Sequence, residues 1–135
     1  MEIRDVDFFE GLSEETLSQL TSSSAVKDFD QDETIFEKGD PADVFYVLKE
    51  GTLELELHNG EAAVNLTRPG EIFGWSAMVE KGVYTARCTS KKPSSAFGIP
   101  KEKMEIIFNR NPKDAVILYK RIGSVFSKRL SKPVH

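Results

Sequence analysis

Short β-forming runs, divided by glycines at intervals of about ten residues, constrain the fold of this chain more than any other feature. The runs cover 34–36, 44–48, 52–57, 63–66, 85–89 and 95–99, and the turns between them hold Gly39, Gly51, Gly60, Gly70 and Gly82. Within the third run, Leu53, Leu55 and Leu57 alternate with polar residues, which is typical of a half-buried strand. Many short strands with regular turns favour a β-sandwich, a jelly roll or a small barrel.

Helical patterns flank this β-rich region, which spans about 25–100. Ser13 is a candidate N-cap for a helix over about 13–21, followed by two glutamates that suit the positive end of a helix. After Pro100 a short helix is expected, and Asn111 followed by Pro112 predicts the start of a long one that ends near residue 131. We therefore expect one domain over 1–135.

Composition disfavours several functional classes. The chain has 135 residues and a net charge of −4, so its overall field does not favour nucleic-acid binding. A single cysteine allows no intrachain disulfide, and no apolar run is long enough to cross a membrane, so we expect a cytoplasmic protein. The two histidines and the cysteine do not cluster in the sequence. We therefore expect no metal site, no cofactor and no enzyme nucleophile.

Two stretches resemble the cyclic nucleotide-binding domain family, the sensor domains of catabolite-activator-like regulators and of protein kinase A regulatory subunits. Residues 34–51, TIFEKGDPADVFYVLKEG, are similar to its first signature, although Phe36 is bulkier than the family usually has. Residues 69–74, PGEIFG, resemble the lead-in to its phosphate-binding cassette. The resemblance covers almost the whole chain. It implies a mainly β fold, an eight-stranded jelly-roll-like β-roll with an N-terminal helix and a long C-terminal helix.

The resemblance also implies a ligand site in the cassette, which in the family reads Gly-Glu, a short helix, a loop and Arg-Ser/Thr-Ala. There the Glu accepts a hydrogen bond from the ribose, the Arg pairs with the cyclic phosphate, and the short helix points backbone N–H groups at it. In this chain Trp75 stands at the Glu position and Tyr84 at the Arg position, so both charged contacts are missing. The expected ligand-binding set is Phe73, Gly74, Trp75, Ser76, Ala77, Met78, Lys81, Tyr84, Thr85 and Ala86, with Gly39, Gly51 and Gly70 as structural glycines.

Three interpretations of this altered cassette stay open. Trp75 and Tyr84 can fill the vacated pocket, which would make the domain a ligand-independent interaction or scaffold module. They can instead shape a pocket for another small anionic or nucleotide-like ligand, with Lys81 or Arg87 meeting its anion. The third interpretation is genuine binding of cAMP or cGMP. We expect a regulatory ligand-sensing module with a non-standard ligand or none, and with output to an unknown protein partner.

The long C-terminal helix carries a wide apolar stripe of residues at steps of three and four: Ala115, Leu118, Tyr119, Ile122, Val125, Phe126 and Leu130. The stripe either packs on the β-rich body or pairs with a second copy, and the pattern alone does not decide. We expect a homodimer whose interface includes Leu118, Ile122, Val125 and Phe126. Relatives that regulate transcription carry a helix-turn-helix unit after this helix, whereas the sequence ends at His135, so no direct DNA binding is expected.

Overall fold

Eight strands form two antiparallel four-stranded sheets in the computed structural model, which describes residues 1–57, 63–79 and 82–130. The first sheet has the order β1-β8-β3-β6 and the second has the order β2-β7-β4-β5. The strands are β1 Ala25–Phe29, β2 Thr34–Phe36, β3 Val44–Glu50, β4 Leu53–Glu56, β5 Ala63–Leu66, β6 Ile72–Phe73, β7 Arg87–Ser90 and β8 Ser94–Pro100. This arrangement confirms the predicted mainly β roll with flanking helices.

Burial along the strands follows the sequence pattern. In β4, Leu53 and Leu55 are buried while the glutamates between and after them are half-buried, as alternation predicts. In β3 the four residues from Phe45 to Leu48 are all buried, so both faces of this strand are covered. The N-terminal segment supplies one cover, because Phe9 is fully buried with its ring 6.5 Å from that of Phe45. Hydrophobic burial on both sides makes β3 the centre of the core.

Three α-helices flank the roll over the described residues: α1 Glu14–Ser23, α2 Lys101–Arg110 and α3 Pro112–Leu130. Ser13 caps α1 as predicted, with its Oγ accepting the backbone N–H of Thr16 at 3.3 Å. Asp114, in the first turn of α3, accepts hydrogen bonds from the Ser13 hydroxyl at 2.7 Å and from the Thr16 hydroxyl. The start of α3 is thereby tied to the N-cap of α1. Among the described residues no helix has both the length and the apolar character needed to cross a membrane.

Two strands lie outside the runs that the sequence pattern identified. Four of the five residues of β1 are exposed, so its alternation is weak, yet it pairs with β8 along its whole length. Strand β6 has only two residues and pairs with β3 through Phe73 and Ile72. The cassette follows β6 directly, so this short strand fixes where the cassette begins. The predicted turn at Gly60 lies outside the described residues.

The three expected structural glycines all adopt positive φ angles, 92° at Gly39, 113° at Gly51 and 97° at Gly70. The requirement is strictest at Gly51, where an added Cβ would lie 2.7 Å from the Cα of Ser94. Both the left-handed backbone and the close approach exclude a larger side chain there.

Candidate ligand-binding site

A small cavity of about 80 Å³ lies beside the cassette, between the second sheet and α3. Strands β2 and β4 supply apolar wall residues, the cassette supplies hydroxyls and aromatic rings, and α3 closes the cavity from the other side. The lining residues are Phe36, Leu55, Leu57, Gly74, Trp75, Ser76, Tyr84, Thr85, Ala86, Phe126 and Arg129. The cavity therefore joins residues from four parts of the chain that are distant in sequence.

Gly74 makes the turn from β6 into the cassette. Its φ of 72° is left-handed, and an added Cβ would lie 3.1 Å from both the Tyr46 ring and the Val44 carbonyl oxygen. A short 3₁₀ helix, Trp75–Met78, follows at once. Glycine at position 74 is thus the residue that lets the cassette turn tightly against β3.

Tyr84 fills the position where the resemblance expects arginine. Its ring stacks on Phe36 with centroids 3.8 Å apart and planes at 12°. Its hydroxyl donates to the Val44 carbonyl oxygen at 2.7 Å and accepts from the Val44 N–H at 3.2 Å. Burial raises the pKa of Tyr84 well above its ordinary value, so the side chain is neutral. Tyr84 therefore offers a ligand an aromatic surface and no charge. The bulky Phe36 is its stacking partner.

Trp75 forms a half-buried wall at the cavity mouth. Its ring meets Phe126 of α3 edge to face, with centroids 6.2 Å apart. The guanidinium of Arg129 lies over the same ring, 4.8 Å from the ring centroid. Both contacts cross from the cassette to the end of α3. Trp75 therefore links these two elements, where the family's Glu would face the ligand.

Arg129 is the cation that lines the described part of the cavity, and it is not among the site residues expected from the sequence. Its Nη2 donates to the carbonyl oxygen of Ile72 in β6 at 2.7 Å. Its Nη1 is shielded from solvent and has no hydrogen-bond partner among the described residues. Burial lowers the pKa of Arg129, and the nearby Glu71 carboxylate opposes this shift. Guanidinium groups nevertheless stay protonated in proteins. The site thus contains a partly buried positive charge with an unpaired donor group.

A helical pattern could have indicated this placement. Arg129 follows Ile122 by seven residues and Phe126 by three, which puts all three on one side of α3. A basic residue on an apolar stripe differs from one on a solvated face, because its head group must find partners. The neighbouring Lys128 does not share this side and is exposed.

Six of the ten expected site residues line the cavity: Gly74, Trp75, Ser76, Tyr84, Thr85 and Ala86. Phe73 is fully buried and stacks on Tyr46 at 4.8 Å, away from the cavity lining. Ala77 and Met78 are buried and line a separate recess beside Tyr119. Lys81 lies outside the described residues. The alternative cation, Arg87, is exposed and forms an ion pair with Glu37 at 3.3 Å, so it does not reach the cavity.

Two of the residues expected at a dimer interface belong to the core of the single chain. Leu118 is fully buried and Ile122 is 7% exposed, so neither presents a surface to a second copy. The expectation was wrong for these two because that part of the stripe packs inward. Val125 is half-buried, and Phe126 is half-exposed while its ring contacts Trp75. The side chain of Leu130 lies outside the described part of the chain.

Known proteins are similar to this chain in sequence and in fold. A family model described as "Cyclic nucleotide-binding domain" matches residues 26–111. The cGMP-dependent protein kinase of Toxoplasma gondii is 28% identical over 103 residues, which cover 76% of this chain and 10% of the kinase. The chain therefore spans about a tenth of the length of this relative.

Solved structures give the same assignment. A crystal structure from Geobacter metallireducens GS-15, named as a cyclic nucleotide-binding protein, matches with a TM-score of 0.82 at 27% identity and covers 94% of each chain. The regulatory subunit of a cAMP-independent protein kinase A from Trypanosoma brucei matches with a TM-score of 0.76 at 15% identity, over 90% of this chain and 43% of that one. The latter similarity shows the fold alone. With a family model over most of its length and a β-roll in its structure, the chain belongs to the cyclic nucleotide-binding domain family, whose domains are regulatory.

Proposed function

We propose that this domain is a regulatory ligand-sensing module whose pocket binds a small anionic or nucleotide-like ligand other than a standard cyclic nucleotide. Its output passes through protein–protein contacts. The observation that carries this proposal is the set of contacts made by Tyr84. Its hydroxyl is committed to the Val44 backbone and its ring is stacked on Phe36, so no phosphate-pairing group stands at that position.

The missing charged groups should strongly weaken the affinity for a cyclic nucleotide. A hydrogen bond to a charged group contributes roughly 1.5–3 kcal/mol, and this cassette lacks two of the contacts that the family makes through Glu and Arg. Their combined loss corresponds to a weakening of about 100-fold or more. Cyclic nucleotide affinity in the range useful for sensing is therefore not expected.

The contacts between the cassette and α3 support a sensing role. Phe126 and Arg129 line the cavity and also touch Trp75, so the end of α3 forms part of the wall that a ligand meets. A ligand that changes these contacts changes how firmly α3 is held. A partner protein whose affinity depends on the position of α3 therefore responds to whether the pocket is occupied.

Two other functions retain specific support. Genuine cAMP or cGMP binding is favoured by the relatives named as cGMP-dependent kinases and by the presence of Arg129 as a cation from another element. A ligand-independent scaffold is favoured by the contact of Trp75 with Phe126 and Arg129, because these protein contacts by themselves hold the cassette to α3. The name of the Trypanosoma brucei relative associates this fold with cAMP independence in that protein.

Calorimetry tests the proposal against the cyclic nucleotide alternative. We expect no heat of binding from cAMP or cGMP at low micromolar concentrations. The double substitution Trp75→Glu and Tyr84→Arg restores both charges and serves as the positive comparison. Tight binding by the unmodified domain would overturn the proposal. A gain of affinity only in the double variant would show that missing charge accounts for the weak binding.

An unbiased thermal-shift screen separates ligand sensing from scaffolding. A ligand that binds only the folded state raises the melting temperature by mass action. We expect anionic compounds among those that stabilise the domain. If a broad screen of metabolites leaves the melting temperature unchanged, the scaffold function is favoured instead.

A further inference from the structure

We propose that Arg129 of α3 is the anion-binding residue of this cavity, and that its ligand is a compact organic anion, an oxyanion group carried on an apolar ring-sized body. This inference rests on the proposed function and names the ligand class. The cation comes from the C-terminal helix instead of the cassette. The anionic group therefore binds where the helix meets the roll.

Arg129 has a donor group without an acceptor. Nη2 donates one hydrogen bond to the Ile72 carbonyl and one face of the guanidinium is covered by Trp75, but Nη1 is buried with no partner among the described residues. Leaving a buried charged donor unpaired costs more than leaving a neutral one. Arg129 also lines the cavity, so a rotation of its guanidinium would bring this donor to an oxyanion bound there.

The positive charge of the guanidinium is not neutralised by an ion pair among the described residues. Over the described residues Arg129 has no ion-pair partner, and the Glu71 carboxylate that acts on it accepts the backbone N–H groups of Thr67 and Arg68, each at 3.0 Å. The buried Cys88 is also nearby, and burial raises the pKa of its thiol to about 12, so it is neutral. Tyr84 is neutral as well. The cavity therefore keeps a positive charge that a ligand anion can neutralise.

The rest of the lining is mixed in polarity. Ser76 and Thr85 are lining residues, and neither side-chain hydroxyl takes part in a hydrogen bond among the described residues, so both are available to donate to further ligand oxygens. The other walls are apolar, with Leu55 and Leu57 on one side and Phe126 at the mouth. One end of the ligand is therefore an oxyanion and the remainder is apolar.

The size of the cavity limits the ligand. A dry cavity that holds benzene measures about 150 Å³, and this cavity has about 80 Å³. The oxyanion fits inside, and the ring-sized body extends to the mouth against Phe126, which is half-exposed. A complete purine nucleotide is larger than this space and would require α3 to move away.

The test uses benzoate as the probe and benzamide as its neutral counterpart of the same shape. Trp75 is the only tryptophan of the chain and lies against Arg129, so its fluorescence reports occupancy directly, with calorimetry as the second readout. For a probe of this size we expect a dissociation constant of about 1 mM. Benzamide should bind at least about tenfold more weakly, because it leaves the guanidinium without an anion. Inorganic phosphate and acetate, which lack the ring, should also bind more weakly.

Arg129→Gln should weaken benzoate binding at least about tenfold, while Lys128→Gln, which removes the same charge from the next position on α3, should not change it. Arg129→Lys keeps the charge without the planar fork, so its affinity for benzoate should lie between those of the two Gln variants. Circular dichroism melts show that each variant is folded. Equal affinity for benzoate and benzamide, equal affinity of the two Gln variants, or no response to any probe would overturn the inference. Tight cAMP binding that does not depend on Arg129 would overturn the proposed function instead.

Discussion

The guanidinium of Arg129 lies 4.8 Å from the centre of the Trp75 ring, and through this contact the end of α3 covers the cassette. Phe126 meets the same ring from one turn earlier. The resemblance to the family implies a ligand-contacting Glu at position 75. In this chain Trp75 instead makes a contact between the cassette and α3.

Trp75→Leu should loosen the end of α3. The change removes a cation–π contact worth about 0.5–2 kcal/mol and an edge-to-face contact worth about 0.5–1.5 kcal/mol. We expect faster amide hydrogen exchange over the last two turns of α3, with little change near its start, where Asp114 holds it to α1. Ile106→Ser is the control, because Ile106 is 49% exposed on α2, away from the contact of Trp75 with α3. Unchanged exchange at the end of α3 would contradict the role given to Trp75.

Tyr84→Phe should destabilise the roll by about 1–3 kcal/mol, since the Val44 N–H and C=O lose their side-chain partner while the stack on Phe36 remains. Urea unfolding measures the difference. Tyr119→Phe is the control, because its hydroxyl makes a single bond, to the Met78 carbonyl at 3.1 Å, from a half-exposed position. A loss no larger than that of the control would show that Tyr84 acts only through its ring.

Much of this fold is predictable from the sequence, because its signals are local. Glycine-separated runs predict most strands, and Ser13, Asn111 and Pro112 mark where helices begin. The sequence pattern does not identify strand β1, because most of its residues are exposed. Pairing with β8 gives this strand its conformation. A strand that depends on its partner has little periodicity of its own.

The candidate site is less predictable for the same reason. Tyr84 and Trp75 are found by their positions in the cassette, but their contacts depend on which residues the fold brings to them. Arg129 is 54 residues from Trp75 in the chain, and only the packing of α3 places it there. Ile122 was expected at a dimer interface but is buried within the single chain, because a periodic apolar stripe does not reveal which element covers it.

Acid should weaken the contact between α1 and α3. Burial raises the pKa of Asp114, but hydrogen bonds from Ser13 and Thr16 outweigh it and lower the pKa below its ordinary value. A carboxyl with a depressed folded-state pKa stabilises the protein above its unfolded pKa of about 3.9, and this stability is lost as the pH falls through the folded value. We expect part of the acid-induced loss of stability to come from this residue.

Asp114→Asn tests this expectation. The amide keeps the shape but not the charge, so the variant should be less stable at neutral pH by about 1–3 kcal/mol. Its unfolding free energy should also fall less steeply below pH 4 than that of the unmodified domain, as measured by urea unfolding across pH. Glu14→Gln, at an exposed side chain in the first turn of α1, provides the control. Parallel pH profiles for the unmodified domain and Asp114→Asn would contradict the assignment.

Two glycine substitutions should change the stability of the domain in opposite directions. Gly51→Ala puts a Cβ against Ser94 at a φ of 113°, and such strain costs on the order of 1–3 kcal/mol before the clash is added. Gly123→Ala, in the middle of α3 with nothing within 4 Å of the added carbon, should stabilise by roughly 0.5–1 kcal/mol through helix propensity. Melting temperatures of the two variants measure the contrast. Similar effects at both sites would show that the close approach at Gly51 relaxes at little cost.

A homodimer through α3 remains a prediction, and the structure changes the residues that would form it. Val116, Tyr119 and Phe126 are each about half-exposed and recur at helical spacing, with the open position of Gly123 between them, so a second helix can approach closely. Two-fold pairing would cover this apolar face. Val116→Glu should lower self-association in sedimentation at micromolar concentrations without unfolding the chain. Ile122→Glu should unfold it, because Ile122 is 7% exposed. A single monomeric species of the unmodified domain at every concentration would rule the dimer out.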